Sequence, residues 1–187
     1  MRRTFYLFLI ALPLAACNSG GPTVTATNAS GAEVSAKVAA ATGNGEMVQP
    51  GRWEGTTTIA DMKMPLLPAD QQASLASKMG KPDKIVSCVT PEQAKANKAF
   101  FTGNDDKSCK YDHFTMSGGK LDAAMSCDQQ DGKTSATMTG TYSANSYHME
   151  MATNTTGKKD NPYGTMSVKM VVDAQRVGEC RGTEDKE

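Results

Sequence analysis

Apolar and polar residues alternate along much of the chain between residues 53 and 172. A period of two runs through residues 53–59, 121–127, 136–142, 147–152 and 166–172, and it predicts strands that each bury one face. The short apolar segment of residues 85–89 predicts a further strand, and residues 111–116, which precede the Gly118-Gly119 turn, predict another. The pattern therefore predicts about seven strands whose apolar faces turn toward a common core.

The connections between these strands are short and contain turn-forming residues. Gly118 and Gly119 suit the positive φ angles of a two-residue hairpin, and Asp131-Gly132 and Asn145-Ser146 mark two more turns. Hairpins join antiparallel neighbours, which excludes a parallel α/β design. We therefore predict a mainly β fold, with a curved or half-closed antiparallel sheet of about seven strands and two short helices.

Two segments carry helix signals. Residues 70–79 have a helical composition, and Gly80 suits a left-handed C-terminal cap. A second helix begins after Thr90, because Pro91 suits the first helical position and Gln93 can complete a capping box. We expect this second helix to cover part of the inner face of the sheet through two residues near its end, Phe100 and Phe101.

The N-terminal segment combines positive charge, an apolar stretch and small residues before a cysteine. Residues 2 and 3 are arginine, residues 5–14 are apolar, and Leu14-Ala15-Ala16-Cys17 ends the segment. The apolar stretch is shorter than the roughly 18–20 residues that span a bilayer, which disfavours a transmembrane helix. The segment resembles a bacterial lipoprotein signal peptide with its lipobox. An ordinary cleaved signal peptide without lipid is the alternative.

The lipobox resemblance implies cleavage before Cys17, a diacylglycerol on its sulfur and an acyl chain such as palmitate on its amine. Two or more chains give durable membrane anchoring, unlike one. Asn18, rather than Asp, follows the cysteine, and by resemblance to enterobacterial sorting this implies the outer membrane. We therefore expect the membrane to be a partner through the lipid, with the folded domain in the periplasm.

Composition divides the chain into four parts. Residues 1–16 form the signal peptide, and residues 17–46 carry Cys17 followed mostly by small and polar residues, which predicts a flexible tether. Residues 33–41 within the tether favour a helix in composition but lack a stable apolar stripe. Residues 47–181 form the β domain, and residues 182–187 form a loose charged tail.

The charges of the chain are balanced, with 20 Lys and Arg against 20 Asp and Glu. A nucleic-acid partner would require a basic face, so we expect none. The chain also lacks a polybasic patch, which leaves membrane attachment to the lipid.

Four cysteines remain after Cys17. An even number in an exported protein indicates disulfides, and the absence of a C-x-x-C spacing disfavours a metal site. Four cysteines allow three pairings. We predict Cys88–Cys109, which would fasten the second helix to the sheet, and Cys127–Cys180, which would tie the C-terminal end to the fourth strand.

Methionine is unusually frequent, with 12 residues against five phenylalanines. Thioethers bind Cu(I), often together with histidine, but His148 lies on the opposite strand face from Met149 and Met151. We therefore expect no metal or other cofactor, and an interior that is either filled by methionine or lines an apolar cavity. Trp53 is favoured as a core anchor over a ligand-stacking ring. The residues expected to line this interior are Trp53, Met125, Met138, Met149, Met166 and Met170.

The chain shows no pattern of catalytic residues. His113 and His148 lie in predicted strands among polar neighbours, and no G-x-S-x-G motif is present. Glycosidase chemistry needs two facing carboxylates. The acidic residues considered for it fall in turns or on outward faces: Asp122, Asp128, Asp131 and Glu150. We therefore expect a protein that is not an enzyme.

Short motifs follow one another in a fixed order from residue 50 to residue 180. They are Pro50-Gly51-x-Trp53-Glu54, Cys88-Val89-Thr90-Pro91-Glu92-Gln93-Ala94, Cys109, Cys127, Gly140-x-Tyr142, Met149-x-Met151 and Gly178-Glu179-Cys180. Together they resemble the bacterial domain-of-unknown-function family 3617, over essentially the whole folded part. The resemblance implies an exported protein, often a lipoprotein, and it implies neither an activity nor functional residues.

Three classes of function remain. The first, which we favour, is a non-catalytic envelope module that binds a protein or wall component through the polar, Thr-rich face of the sheet. The second is a carrier or sensor of an apolar ligand in a Met-lined concavity, and the third and least supported is an enzyme. A filled core would favour the module, and an open apolar cavity of several hundred cubic ångströms would favour the carrier.

Overall fold

A computed structural model describes residues 22–43, 47–77, 79–95, 107–129, 132–157 and 164–184. In this part of the chain eight strands form one antiparallel sheet, accompanied by three short helices, which confirms the mainly β class. The strands are β1 (Val24–Ala29), β2 (Gly51–Lys63), β3 (Pro82–Val89), β4 (Cys109–Ser117), β5 (Lys120–Gln129), β6 (Gly132–Tyr142), β7 (Ser146–Gly157) and β8 (Met166–Gly178). The helices are α1 (Gly31–Ala41), α2 (Ala69–Ala76) and α3 (Pro91–Lys95).

The strand order across the sheet is β1-β4-β5-β6-β7-β8-β2-β3. Strands β4 to β8 follow one another as the predicted meander, and Gly118 and Gly119 adopt the positive φ angles expected for the β4–β5 hairpin. Strand β2 then pairs with both β8 and β3. Within the described residues β1 and β3 lie at the two edges without pairing to each other, so the sheet is open.

The two faces of the sheet differ as the period of two predicts. Along β6, Ala136, Met138 and Gly140 are half-buried, whereas Thr137 and Thr139 between them are exposed. The apolar face carries the main core cluster of the domain. The opposite face is polar and open to solvent, as is usual for a one-sided antiparallel sheet.

The prediction of a flexible tether is wrong for residues 24–41. Strand β1 pairs with β4, where Val24 opposes Met116, and α1 follows directly. Val34 and Val38, one helical turn apart, are fully buried in the core cluster. Small apolar side chains suffice here because pairing satisfies the backbone groups of β1 that face β4 and because the helix packs closely against the sheet.

The start of α1 is fixed by a capping box that the sequence interpretation overlooked. The Glu33 backbone N–H donates to the Ser30 hydroxyl at 3.2 Å, and the Ser30 backbone N–H donates to the Glu33 carboxylate at 2.7 Å. The Ser30 hydroxyl also donates to that carboxylate, and these backbone and side-chain hydrogen bonds lower the pKa of Glu33. Among the described residues, α1 contributes Val34 and Val38 to the main core cluster, whereas the helix after Thr90 contributes no side chain to it.

Val38→Ala should destabilise the domain by about 1.5 kcal/mol, because it removes two buried methyl groups from the interface between α1 and the sheet. Urea unfolding measures the change. Val177, which is 52% exposed, gives a matched control whose replacement by alanine should stay within about 0.5 kcal/mol of the parent protein. An unchanged midpoint for Val38→Ala would contradict the packing of α1 on the sheet.

The start of the second predicted helix is confirmed, and the prediction of a loose C-terminal tail needs correction. Helix α3 begins as expected, since the Gln93 backbone N–H donates to the Thr90 hydroxyl and the Thr90 N–H donates to the Gln93 side chain. Its predicted continuation to Phe101, with Phe100, lies outside the described residues. The tail is not loose throughout, because Glu184 is buried. In the described part of the chain, no helix has the length and apolar character needed to cross a membrane.

Candidate functional site

A groove of about 830 Å³ lies on the polar face of the sheet. Its centre is the pair His148 and Asp173, which oppose each other on β7 and β8. Residues in register on six neighbouring strands form one row, and all of them except the residue on β5 line the groove. From β5 to β3 this row reads Lys120, Thr141, His148, Asp173, Thr56 and Lys84.

The row places opposite charges side by side. His148 Nδ1 lies 2.7 Å from an Asp173 carboxylate oxygen, and His148 Nε2 lies 3.7 Å from a Glu150 carboxylate oxygen. At the far end of the groove, Lys84 lies 4.0 Å from Glu54. The groove therefore offers a partner both carboxylates and cations, separated by the hydroxyl groups of threonine.

The hydrogen bond to Asp173 raises the pKa of His148, and the nearby negative charges of Asp173 and Glu150 add to this increase while burial opposes it. Both ring nitrogens thus face carboxylates. A histidine that acts as a general base for a nucleophile directs one nitrogen at a hydroxyl or thiol. The geometry of His148 therefore suits a protonated imidazole paired with carboxylates better than a general base in nucleophilic catalysis.

The raised pKa of His148 predicts a pH-dependent stability. Because the folded state favours the protonated imidazole, the pair contributes stability below the ordinary pKa of about 6.5 and loses it as pH rises through the folded-state pKa. The stability advantage of the parent protein over His148→Gln should therefore be larger at about pH 5.5 than at about pH 8.5.

Urea unfolding at the two pH values measures this difference, and NMR titration of the imidazole measures the pKa itself. In Asp173→Asn the pKa of His148 should fall back, since the largest cause of the increase is gone. A larger stability advantage at the alkaline pH would contradict the pairing.

A second histidine and carboxylate pair lies on the same face outside the groove. His113 Nε2 lies 2.6 Å from Asp122, and the two side chains are 47% and 62% exposed. Both histidines are therefore surface residues, as predicted. Among the acidic residues considered for catalysis, Asp128 and Glu150 also point outward, and Asp131 lies outside the described residues.

The opposite, apolar face holds a cavity of only about 70 Å³. Met125 and Met138 border this cavity, as predicted, together with Tyr111, Phe114 and Met151. The other residues expected to line it lie elsewhere. Trp53 and Met149 are buried by protein, Met166 is half-buried in β8, and Met170 borders a separate cleft beside Glu150 and Lys169.

The copper alternative finds no support in this arrangement. His148 reaches Asp173 on the polar face, whereas Met149 is 4% exposed in the core cluster behind the sheet. In the described ranges, no three or more His, Cys, Asp and Glu side chains come together as a group that could hold a metal ion.

The four predicted disulfide cysteines are all bonded, but both predicted pairings are wrong. The disulfides are Cys88–Cys180 and Cys109–Cys127. Cys109 and Cys127 oppose each other on β4 and β5 with their Cα atoms 4.0 Å apart. Cys88 meets Cys180 because β2 pairs with both β3 and β8, which brings the end of β3 next to the chain that leaves β8.

The Cys88–Cys180 disulfide lies at a corner of the sheet where charged groups are also buried. Arg52 is 2% exposed and contacts Glu54 at 2.9 Å and Glu184 at 3.5 Å. Backbone N–H groups, that of Arg181 first, donate to Glu184 and lower the pKa of its carboxyl. The corner thereby fixes both the start of β2 and the segment after β8.

Three of the sequence motifs meet at the same corner. The Arg176 guanidinium donates to the Pro50 carbonyl at 2.6 Å, and the backbone at Gly51 passes so close to Gly178 that a Cβ on Gly51 would collide with it. The Trp53 indole N–H donates to the Gln49 carbonyl at 3.1 Å. Pro50, Gly51, Trp53 and Gly178 therefore stabilise the fold, whereas Glu54 of the first motif also lines the groove.

A family model matches residues 48–180, and its description is Protein of unknown function (DUF3617). The chain belongs to the DUF3617 family. The match covers β2 to β8 and the corner as far as Cys180, whereas β1 and α1 of this DUF3617 protein precede it. Comparison with curated proteins and with solved structures gave no match.

The residues that form the groove of the DUF3617 domain could not be predicted from the sequence. His148 was recognised as a surface residue, but its partner Asp173 lies 25 positions away and its importance depends on the register between β7 and β8. The one local signal is that Asp173 is an exposed charged residue between the inward-facing Val172 and Ala174 of β8. Lys84 and Glu54 depend in the same way on the pairing of β3 with β2.

Proposed function

We propose that this DUF3617 protein is a lipid-anchored envelope protein whose domain is a non-catalytic binding module. The module binds another envelope protein through the groove around His148 and Asp173. The observation that supports this proposal is the contrast between the two faces of the sheet, since the open groove on the polar face measures about 830 Å³ and the more enclosed cavity on the apolar face about 70 Å³.

The chemistry of the groove suits a polar partner with charges of both signs. Lys84 lies 70% exposed at one end, His148 lies 44% exposed at the centre, and carboxylates stand beside each of them. Such charge pairs steer encounter and select partners more than they add affinity. A segment of another protein with alternating charges and amide groups fits this pattern better than a polymer of a single charge.

Two variants with matched chemistry test the groove. The first replaces the groove pair, as His148→Gln with Asp173→Asn, and the second replaces the pair outside it, as His113→Gln with Asp122→Asn. After cross-linking in intact cells, the proteins captured by the parent chain should be lost with the groove variant and kept with the control. Capture of the same proteins by the groove variant would contradict the proposal. Loss of wall fragments instead of proteins would assign the groove to the cell wall.

The anchor is tested separately. Cys17→Ser should abolish incorporation of labelled fatty acid and leave uncleaved or soluble protein, because the lipidated sulfur and the cleavage position are both lost. Metabolic labelling followed by membrane sedimentation measures both effects. Mature, membrane-bound and lipid-labelled protein from this variant would contradict the anchor at Cys17. For the parent protein we expect the outer membrane fraction.

An apolar ligand is the second candidate function. Met151, Val168 and Met170 on the apolar face are half-buried, and α1 does not extend over them within the described residues. A cavity of about 70 Å³ is nevertheless small beside the roughly 300–1,000 Å³ of ordinary ligand pockets. Binding of an apolar dye with a negative heat-capacity change, weakened in Met151→Ala, would favour this carrier over the module.

A further inference from the structure

The distance between the proposed lipid and the folded domain is short. Strand β1 begins at Val24, so only the six residues from Asn18 to Thr23 separate it from Cys17. A fully extended chain advances about 3.3–3.6 Å per residue, which limits the reach from Cys17 to Val24 to about 25 Å. A flexible tether ending at residue 46 would allow roughly four times that reach.

Strand β1 is an integral part of the folded domain, so the limit of about 25 Å applies to the domain as a whole. It pairs with β4 over most of its length, and Val24 and Ala26 are 4% and 5% exposed. The buried residues of α1 follow it into the core. The attachment point therefore moves with the whole domain, because releasing β1 would expose part of the core cluster.

The start of β1 marks one end of the sheet. Thr23 lies beside Ser117, with their hydroxyl oxygens 2.9 Å apart, and Ser117 leads into the β4–β5 turn. The Tyr142 backbone N–H donates to the Gly119 carbonyl at 2.8 Å, which places the β6–β7 turn next to the β4–β5 turn. We call this surface the anchor end and define it as Thr23, residues 117–120 and residues 142–146.

The composition of the anchor end suits lipid headgroups. Residues 117–120 read Ser-Gly-Gly-Lys and residues 142–146 read Tyr-Ser-Ala-Asn-Ser, so the two turns contain hydroxyl groups, an amide and one lysine but no carboxylate. The exposed carboxylate of Glu179 adjoins this surface, because the Arg176 backbone N–H donates to the Asn145 carbonyl, but it is paired with the Arg176 guanidinium. Anionic headgroups attract lysine and repel carboxylates near the membrane surface.

We propose that the anchor end faces and contacts the headgroups of the membrane that holds the lipid of Cys17. The inference rests on the lipid anchor of the proposed function. It also places the groove, because Lys120 of the anchor end is in register with Thr141 and His148 in the groove. The groove therefore opens close to the bilayer surface, and its partner is a protein segment that lies at the membrane.

Two labelling positions at opposite ends of the sheet test the orientation. Lys120 belongs to the anchor end, whereas Lys133 lies eight residues along β6 from Thr141, the register partner of Lys120, which corresponds to about 26 Å. Both are exposed lysines, so Lys120→Cys and Lys133→Cys each give a single thiol beside the disulfides, and a cationic fluorophore on that thiol restores the positive charge of the lysine. Each variant is purified with its lipid, labelled with a fluorophore and placed in phosphatidylethanolamine and phosphatidylglycerol vesicles that carry a headgroup quencher.

Quenching should be several-fold stronger at position 120 than at position 133. Insertion of twelve Gly and Ser residues after Asn18 should remove most of this difference. Equal quenching at the two positions, stronger quenching at position 133, or a difference that survives the insertion would each overturn the inference. Mass spectrometry of the N-terminal peptide separates these results from failure of the anchor itself, because a chain without lipid on Cys17 would refute the proposed function as well.

Discussion

Replacing Cys88 and Cys180 together by serine should destabilise the domain by about 4–5 kcal/mol, against about 3 kcal/mol for Cys109 and Cys127. The loop closed by Cys88–Cys180 spans 92 residues and that closed by Cys109–Cys127 spans 18. Each disulfide restricts the unfolded chain, and the restriction grows with the logarithm of the loop length. Urea unfolding of both double variants, without reducing agent, measures the two losses.

The position of each disulfide in the sheet supports the same ranking. Cys109 and Cys127 join strands that a hairpin already holds together, whereas Cys88–Cys180 connects edge strand β3 with the segment after β8. A larger loss for the hairpin disulfide would contradict the ranking. Non-reducing peptide mapping that found Cys88 bonded to Cys109 would contradict the sheet order at this corner.

The sequence predicted those parts of the fold that depend on neighbours along the chain. The meander from β4 to β8 was predictable because each strand alternates its exposure and each connection carries its own turn residues, such as Gly118 and Gly119. The start of α3 was predictable for a similar reason, because Thr90 and Gln93 are three positions apart.

The parts that were missed depend on contacts between distant segments. Strand β1 and α1 use alanine and valine, whose burial becomes favourable only when β4 offers an edge and Phe114 and Met116 offer a surface. The disulfide pairing depends on β2 lying between β8 and β3, and nothing local to the cysteines encodes that order. The groove was missed because a row across six strands exists only once all registers are known.

The two faces of the sheet also explain why the methionine pattern predicted only part of the interior correctly. The alternation correctly placed Met149 in the core and Met125 and Met138 on the apolar face. It could not show how far that face is covered, because among the described residues part of the cover comes from α1, whose residues 33–41 had been assigned to a tether. Met166 and Met170 are therefore half-buried rather than part of one enclosed interior.

Trp53→Ala should destabilise the domain by about 3–5 kcal/mol, the usual loss for emptying a large buried aromatic site. Trp53 is 2% exposed, packs with Val48 and Ala174, and lies with its ring centroid 5.5 Å from that of Tyr147. Unfolding must be followed by circular dichroism, because Trp53 is the only tryptophan and the variant loses its fluorescence.

Trp53→Phe separates the two contributions of this residue. Phenylalanine keeps an apolar ring in the site but cannot donate to the Gln49 carbonyl. Trp53→Phe should therefore lower the free energy of unfolding by about 1–2 kcal/mol, less than Trp53→Ala does. In the parent protein, acrylamide should quench Trp53 weakly in the folded state and strongly in urea, since the ring is enclosed by protein. Strong quenching of the folded protein, together with a small loss in Trp53→Ala, would show an accessible ring. That outcome would restore the ligand-stacking interpretation of Trp53 and favour the carrier of an apolar ligand over the binding module.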